Sequence, residues 1–408
     1  MFIDPLWLAA SLIFGIAAGL LPGLHPNSIG AILTPWLGNW ESWPLALVVL
    51  LGVRLALQFL PSILVGTPAG QTELGMLPGQ RMMREGRGLE ALAVCGWSVV
   101  LAVALALVLS PLLMPILPAL FAAVKPWSGY LLVLASAALM LAEIKDGKES
   151  GWLGRWRGPA LALFVFLLAA ALGWLTLNLP LTDPLFALFV GFFTMPALLS
   201  GEEQKAAEKK QQKEGQENPA FVVRELLPFI LLGVLLGGLS DLLPGLSTPA
   251  QVATLATLAV PLAQPAHFLA LVASIEASHT TFAFASAAST GIARVGVVAM
   301  VGQMQPITPA DLPALWGAFA VAAAVGAGAL LWIGRWLMPR WHALDWKTLG
   351  GLLGLYLAAM VFWLDGAMGL LVMALASAIG MLPVLWGVKR TQVMGSLIGP
   401  AILHAFGF

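Results

Sequence analysis

From Leu45 to Val65 the chain reads LALVVLLGVRLALQFLPSILV, with Arg54 as its one charged residue. An apolar run of this length is what the hydrocarbon core of a bilayer asks of a helix, roughly 20 residues rising 1.5 Å each. Further apolar runs occur at 91–120, 127–141, 159–177, 184–199, 226–243, 315–332, 351–364 and 368–385. Composition agrees, because only 10% of the 408 residues are charged and 60% are hydrophobic. Soluble domains carry about 25% charged residues, so this chain cannot clothe a water-exposed surface. The reading is an all-α polytopic membrane protein with about 10–12 membrane segments, some of them broken or re-entrant. It is expected to be a multi-pass protein of the plasma or inner membrane.

Other global features exclude functions. Net charge is formally zero, so there is no electrostatic footprint for nucleic acid. The single cysteine, Cys95, excludes an intrachain disulfide or a cysteine-ligated cluster and reads as a packing residue. No HExxH or comparable ligand spacing points to a metal, and no GxxxxGK[ST] points to a nucleotide-driven pump. Without a paired acidic motif, or a nucleophile with its base, the chain does not read as an enzyme, and no cofactor is expected. Residues 5–22 lack the basic start and cleavage site of a signal peptide and read as a retained membrane segment.

The pentapeptide LLPGL occurs twice, from Leu20 and from Leu242, each time followed within a few residues by a second proline. Between these copies lies the one strongly hydrophilic stretch, SGEEQKAAEKKQQKEGQENP. Its mixed charges and lack of apolar residues suit a solvated linker. The chain therefore divides into a first membrane repeat at 1–200, a polar linker at 201–219 and a second repeat at 220–408. Pseudo-symmetric halves are a common architecture of secondary transporters, and a scaffold without transport is the alternative. Gly15 and Gly19 precede the first LLPGL, and Gly233 and Gly237 precede the second. Ordinary close packing of membrane helices accounts for them.

A proline–glycine pair inside an apolar run ends the helix there. In hydrocarbon, the freed backbone groups survive only inside protein or along a wet cavity. After each break, His25-Pro26-Asn27-Ser28 and Ser247-Thr248-Pro249 read as helix starts, with a polar cap and proline in the first turn. A helix N-terminus at membrane depth carries unpaired N–H groups and partial positive charge, which suit an anion. Two such termini, near Gly23–Ser28 and Gly245–Thr248, would form an anion site, or else they are structural kinks.

Intramembrane polar residues add to this. A buried arginine such as Arg54 faces a cavity or a partner: it binds an anion, or pairs with a carboxylate such as Glu276 or Asp241. Glu276 and His279 are three residues apart on a helix and form a candidate ion-coupling relay. His25 is a substrate ligand or a hydrogen-bonded packing residue. Thr67, Gln71 and Thr72 in the first half, and Ser278, Thr280 and Thr281 in the second, supply neutral hydrogen bonds to a substrate.

GLLPGLHPNSIGAIL, followed by ILVGTPAGQTELGMLPGQRMMREGRGLEAL, resembles the large membrane subunit of tripartite tricarboxylate transporters, the TctA family. The shared order is a Pro-Gly-Leu break, a Gly-Thr-Pro element at Gly66, Thr67 and Pro68, and an Arg/Lys-x-Gly stretch. LTDPLFALFVGFFTMPALL at 181–199 and VMGSLIGPAIL at 393–403 are also similar. Family members usually run longer, so the likeness is to a shorter, archaeal-type branch. It implies a di- or tricarboxylate substrate, an extracytoplasmic binding protein and a small membrane subunit. A more distant likeness to polyprenyl-phosphate translocases implies a lipid phosphate instead. The expectation is secondary transport of an organic anion by alternating access, coupled to H⁺ or Na⁺, with membrane lipids as the other contacts.

Overall fold

A computed structural model of the chain describes residues 4–21, 24–38, 40–65, 73–144, 151–200, 223–242, 252, 264–341 and 346–407. These residues form helices, with no strand among them. In chain order they are α1 (Pro5–Leu20), α2 (Pro26–Leu37), α3 (Trp43–Leu57), α4 (Phe59–Val65), α5 (Glu73–Arg84), α6 (Gly88–Leu113) and α7 (Leu117–Val124). Next come α8 (Ser128–Leu141), α9 (Gly151–Leu177), α10 (Pro184–Phe189), a π-helical turn at Val190–Thr194 and α11 (Met195–Ser200). Then follow α12 (Val223–Leu242), α13 (Pro265–Thr290), α14 (Gly296–Met304), α15 (Leu312–Trp341), α16 (Trp346–Trp386) and α17 (Gly395–Ala405).

Eight helical stretches among the described residues are long and apolar enough to cross a membrane, and the shorter apolar helices Pro5–Leu20 and Pro184–Leu199 add to them. The chain is an integral, multi-pass, all-α membrane protein. Part of the count read from the sequence is therefore made of pieces shorter than a full span. α16, with 41 residues, would extend about 61 Å if straight, twice the ~30 Å of hydrocarbon. It is broken at Gly366, where φ is 63° and ψ is −156°, a conformation that glycine adopts without a Cβ clash. The apolar runs at 351–364 and 368–385 fall on either side of that break.

The described helices form two compact units. One comprises Met1–Val124, Gln212–Leu243 and Ala263–Leu344; the other comprises Lys125–Gln211, Pro244–Leu262 and Asp345–Phe408. Each draws residues from both halves of the sequence. In the second unit, the Asp365 carboxylate accepts the backbone N–H groups of Thr182 and Asp183 at 2.6 and 3.0 Å. Asp183 in turn caps α10 through Phe186 N–H at 3.2 Å. The buried Glu143 accepts from Lys389 N–H at 3.0 Å and from the Gln392 amide at 3.4 Å, tying the end of α8 to the turn before α17.

In the first unit, the stretch Trp43–Leu64 and the helix Pro265–Thr290 are buried along their whole apolar windows. They are interior membrane helices, shielded from lipid on every side. Small residues let their neighbours come close. A Cβ added to Gly15 of α1 would lie 2.8 Å from Val53 Cβ, and one on Gly52 of α3 would lie 2.7 Å from Ala322 Cβ on α15. On α12, a Cβ at Gly233 would sit 2.5 Å from Ser274 Cβ and 2.9 Å from the Leu271 carbonyl on α13. Three hydroxyls of α13 find acceptors within the helix. Ser278, Thr280 and Thr281 donate to the carbonyls of Ser274, Glu276 and Ala277 at 2.6, 2.9 and 2.8 Å.

Outside the spans, Asp311 precedes α15 and accepts the Thr308 hydroxyl and N–H at 2.7 and 3.0 Å. These bonds favour the charged form, so the carboxyl titrates below its ordinary value.

Gly233→Leu is expected to lower the thermal midpoint in detergent, reflecting an overpacking cost of about 1–3 kcal/mol. Gly317→Leu, at a position with nothing within 4 Å of an added Cβ, should leave the midpoint unchanged in the same assay. The stability that Asp311 contributes is present above the unfolded carboxyl value of about 3.9 and lost as pH falls through its lower folded value. Asp311→Asn should therefore show a smaller loss of midpoint than the parent between about pH 6 and about pH 3.

Candidate functional site

The first break leads directly into α2. α1 ends at Leu20, Leu21 is extended, and α2 begins at Pro26, with proline in its first turn where no N–H is needed. The cap is not the Ser or Asn that such a helix start favours. His25 occupies that position, and its ring Nδ1 accepts the Asn27 N–H at 3.1 Å. An accepting Nδ1 leaves the ring proton on Nε2 in the neutral imidazole. With its backbone capped in this way, Asn27 turns its side chain to the neighbouring helix terminus.

That neighbour is α14. A Cβ added at Gly296, its first residue, would lie 2.5 Å from Asn27 Cγ. Glycine is required there by the close approach of the Asn27 amide. α13 ends at Gly291 with φ 73°, and α14 starts five residues later with Val295 as a cap that offers no side-chain hydrogen bond. Val295 itself therefore supplies no side-chain acceptor to the first-turn N–H groups of α14.

Between these termini and the interior helices lies a small cavity of about 20 Å³, lined by His25, Asn27, Leu51, Arg54, Leu55, Glu276, Thr280, Val295 and Gly296. Leu51, Arg54, Leu55 and Gln58 stand at i, i+3, i+4 and i+7, which puts them on one face of α3. Glu276 and Thr280 are a matching i, i+4 pair on α13. Arg54 and Glu276 are each 7% exposed. Arg54 Nη1 donates to Gln58 Oε1 at 2.8 Å, and Gln58 Nε2 donates to the Leu55 carbonyl at 3.1 Å. Arg54 is the charged neighbour of Glu276, and Gln58 is within hydrogen-bonding reach of its carboxylate. The Glu276 Oε2 and Asn27 Oδ1 atoms are buried without a hydrogen-bond partner among the described residues.

Chemically, the pocket sets an arginine and two helix N-termini, all attractive to an anion, beside one carboxylate and one amide oxygen. Of the residues read from the sequence, it brings together His25, Asn27, Arg54, Glu276 and Thr280. His279 is 1% exposed but does not line the pocket, so Glu276 shares that cavity with Thr280 rather than with His279. Ser278 points to α12, donating to the Gly233 carbonyl at 3.3 Å as well as within α13. Thr281 is likewise outside the lining.

The Ser28 side chain and Gly23, Thr67, Gln71, Thr72, Gly245, Ser247 and Thr248 lie outside the described residues, as do the side chain of Asp241 and the linker. The second helix terminus at the pocket is that of α14. Its signal in the sequence was the spacing of Gly291 and Gly296 around a non-apolar residue, Arg294. Gln58 was legible only as the residue one turn beyond Arg54.

The model of one protein family, the tripartite tricarboxylate transporter TctA family, matches residues 6–395. An uncharacterized protein of Methanocaldococcus jannaschii is 28% identical over 207 residues, which are 48% of this chain and 48% of that protein. The chain thus spans about half the length of the curated relative it matches. No solved structure matches.

Proposed function

The chain belongs to the tripartite tricarboxylate transporter TctA family, and on that premise we propose that it carries an organic anion, a di- or tricarboxylate, across the membrane by alternating access. The family is one of transporters rather than enzymes, and the eight apolar stretches make this chain a membrane component of such a system. The observation that carries the substrate reading is the pocket. Arg54 stands at the middle of a wholly buried helix, where a guanidinium lines a cavity or meets polar partners. It faces the same space as the starts of α2 and α14. A carboxylate entering there meets a guanidinium suited to bidentate contact and two uncapped or half-capped helix ends.

Coupling to a cation is proposed to run through Glu276. Its charge opposes an entering anion, so a proton or Na⁺ on this carboxylate makes the two ions interdependent, with His279, three residues along α13, the second group of the proposed relay. The two halves, 1–200 and 220–408, are read as repeats. Supporting this, α1 approaches α3 through Gly15 and Gly19, and α12 approaches α13 through Gly233 and Gly237. An extracytoplasmic binding protein and a small membrane subunit are the proposed partners.

The test is uptake of labelled citrate and related acids into proteoliposomes, alongside ligand-induced stabilisation of the purified chain. Arg54→Gln should lower uptake at least tenfold, the worth of about one charge-assisted hydrogen bond. Undiminished uptake would remove the site from this pocket. Stabilisation by prenyl phosphates and by no carboxylate would replace the small acid with a lipid headgroup. Glu276→Gln should flatten the pH dependence of uptake, and an unchanged profile would take the coupling away from this residue.

A further inference from the structure

The C-terminal end of α15 carries positive charge that the protein does not balance. The span Leu312–Arg340 has 29 residues and would extend about 43 Å, against about 30 Å of hydrocarbon. Its last turns therefore stand at headgroup depth. They pack on the start of α6: a Cβ added at Gly334 would lie 2.5 Å from Leu92 Cδ1, and one at Gly88 would lie 2.7 Å from Met338 Cε. The carboxylates beside that contact are already engaged. Glu85 accepts from Arg81 Nε at 3.1 Å and from Arg87 Nη1 at 3.4 Å, and Glu90 accepts from Arg87 Nε at 2.7 Å. Arg335 and Arg340 are exposed, with no carboxylate within ion-pair distance among the described residues. The stretch Trp43–Leu64 runs the same way as α15, since Gly52 faces Ala322 and Leu60 faces Gly334. The opposite end of these helices is acidic, with Asp4 donating its N–H to Ser42 Oγ at 3.2 Å, Glu41 beside it and Asp311 before α15. Positive charge at one end of a membrane bundle marks the cytoplasmic side, where the leaflet carries anionic lipid.

We infer that this end of α15 is a seat for an anionic phospholipid, its phosphate held by Arg335 and Arg340 and framed by Trp332 and Trp336. Arg340 is set in place for it. Its Nη1 donates to the Trp336 carbonyl at 2.6 Å, and its guanidinium lies 4.7 Å from the centre of the Trp336 ring. The side chain is thereby kept at the interface, with its other N–H groups left for a phosphate. Trp332 and Trp336 are 73% and 57% exposed, and such rings settle at headgroup level. Beneath them the helix offers an acyl chain a track. Gly317 and Gly328 have nothing within 4 Å of an added Cβ, and Val321 is exposed between them. At 3.6 residues per turn, Gly317, Val321, Gly328, Trp332 and Arg335 fall within about 60° of one another around the helix. A second protein helix laid on this face would cover two arginines that have no carboxylate partner, which is costly at membrane depth. A lipid covers the same apolar track and brings the missing negative charge. The seat is separate from the Arg54 pocket and does not depend on what that pocket carries.

Phosphatidylglycerol and phosphatidylcholine with the same acyl chains test this, because both carry a phosphate and only the first is a net anion. Binding of each to the purified full chain, read by native mass spectrometry, should favour phosphatidylglycerol about tenfold. The double variant Arg335→Gln, Arg340→Gln should bring that ratio close to one. Arg81→Gln, which removes an arginine already paired with Glu85, should leave it unchanged. In the parent chain, a photoreactive phosphatidylglycerol should label residues within 317–341, a reading that stands even if the double variant fails to fold. Equal binding of the two lipids, a preference that survives loss of both arginines, or labelling confined to other helices would overturn the seat. Efficient disulfide cross-linking of Gly328→Cys chains to one another in liposomes would also overturn it, by giving this face to a second copy of the chain.

Discussion

Hydrocarbon offers no hydrogen bonds, so each polar group carried into it must be matched within the protein. That constraint organises this molecule. Many of the described intramembrane hydroxyls meet it locally, by returning to the carbonyl one turn back, as Ser110, Ser136, Thr176 and Thr281 do. A guanidinium cannot be silenced that way. Arg54 reaches Gln58 one turn along its own helix and faces Glu276 from α13. The helices that hold this pair are those shielded from lipid along their full apolar windows.

Shielding depends in turn on close approach. Gly15 and Gly19 let α1 lie against α3, Gly233 and Gly237 let α12 lie against α13, and Gly52 brings α3 onto α15. In lipid no hydrophobic force drives these contacts, so dispersion over short interhelical distances supplies the association. The helix ends then do the polar work. Because α2 is capped by a ring nitrogen and α14 starts at a glycine with no side-chain cap, backbone donors gather where the charged residues are. The pocket lies where two helix breaks meet one arginine, with little dedicated side-chain machinery.

Much of this was legible in the primary structure. A lone arginine in a run of aliphatic residues, a carboxylate in a helix of alanine and serine, and a histidine before proline each stand out against apolar neighbours. Arg54, Glu276, Thr280, His25 and Asn27 were found that way. The pairing of Glu276 with His279 rested on spacing alone. Spacing fixes the angle between two side chains on a helix, not which of its faces a cavity meets. Gln58 and the start of α14 were missed for a related reason. Glutamine carries no charge to mark it, and α14's contribution is backbone, which has no residue signature beyond Gly296.

The amino-acid order alone determined that the chain crosses the membrane repeatedly as helices, because run length and scarcity of charge leave a bilayer span no other form. It also determined where helices must break, since proline and glycine act on their own backbone. Tertiary structure decided which polar residues share a cavity and which helix end faces Arg54. α3 and α13 are more than 200 positions apart in the chain, and their meeting depends on glycine contacts with third helices. The neighbours of a buried charge are set by packing across the unit, where local pattern carries no information about distance.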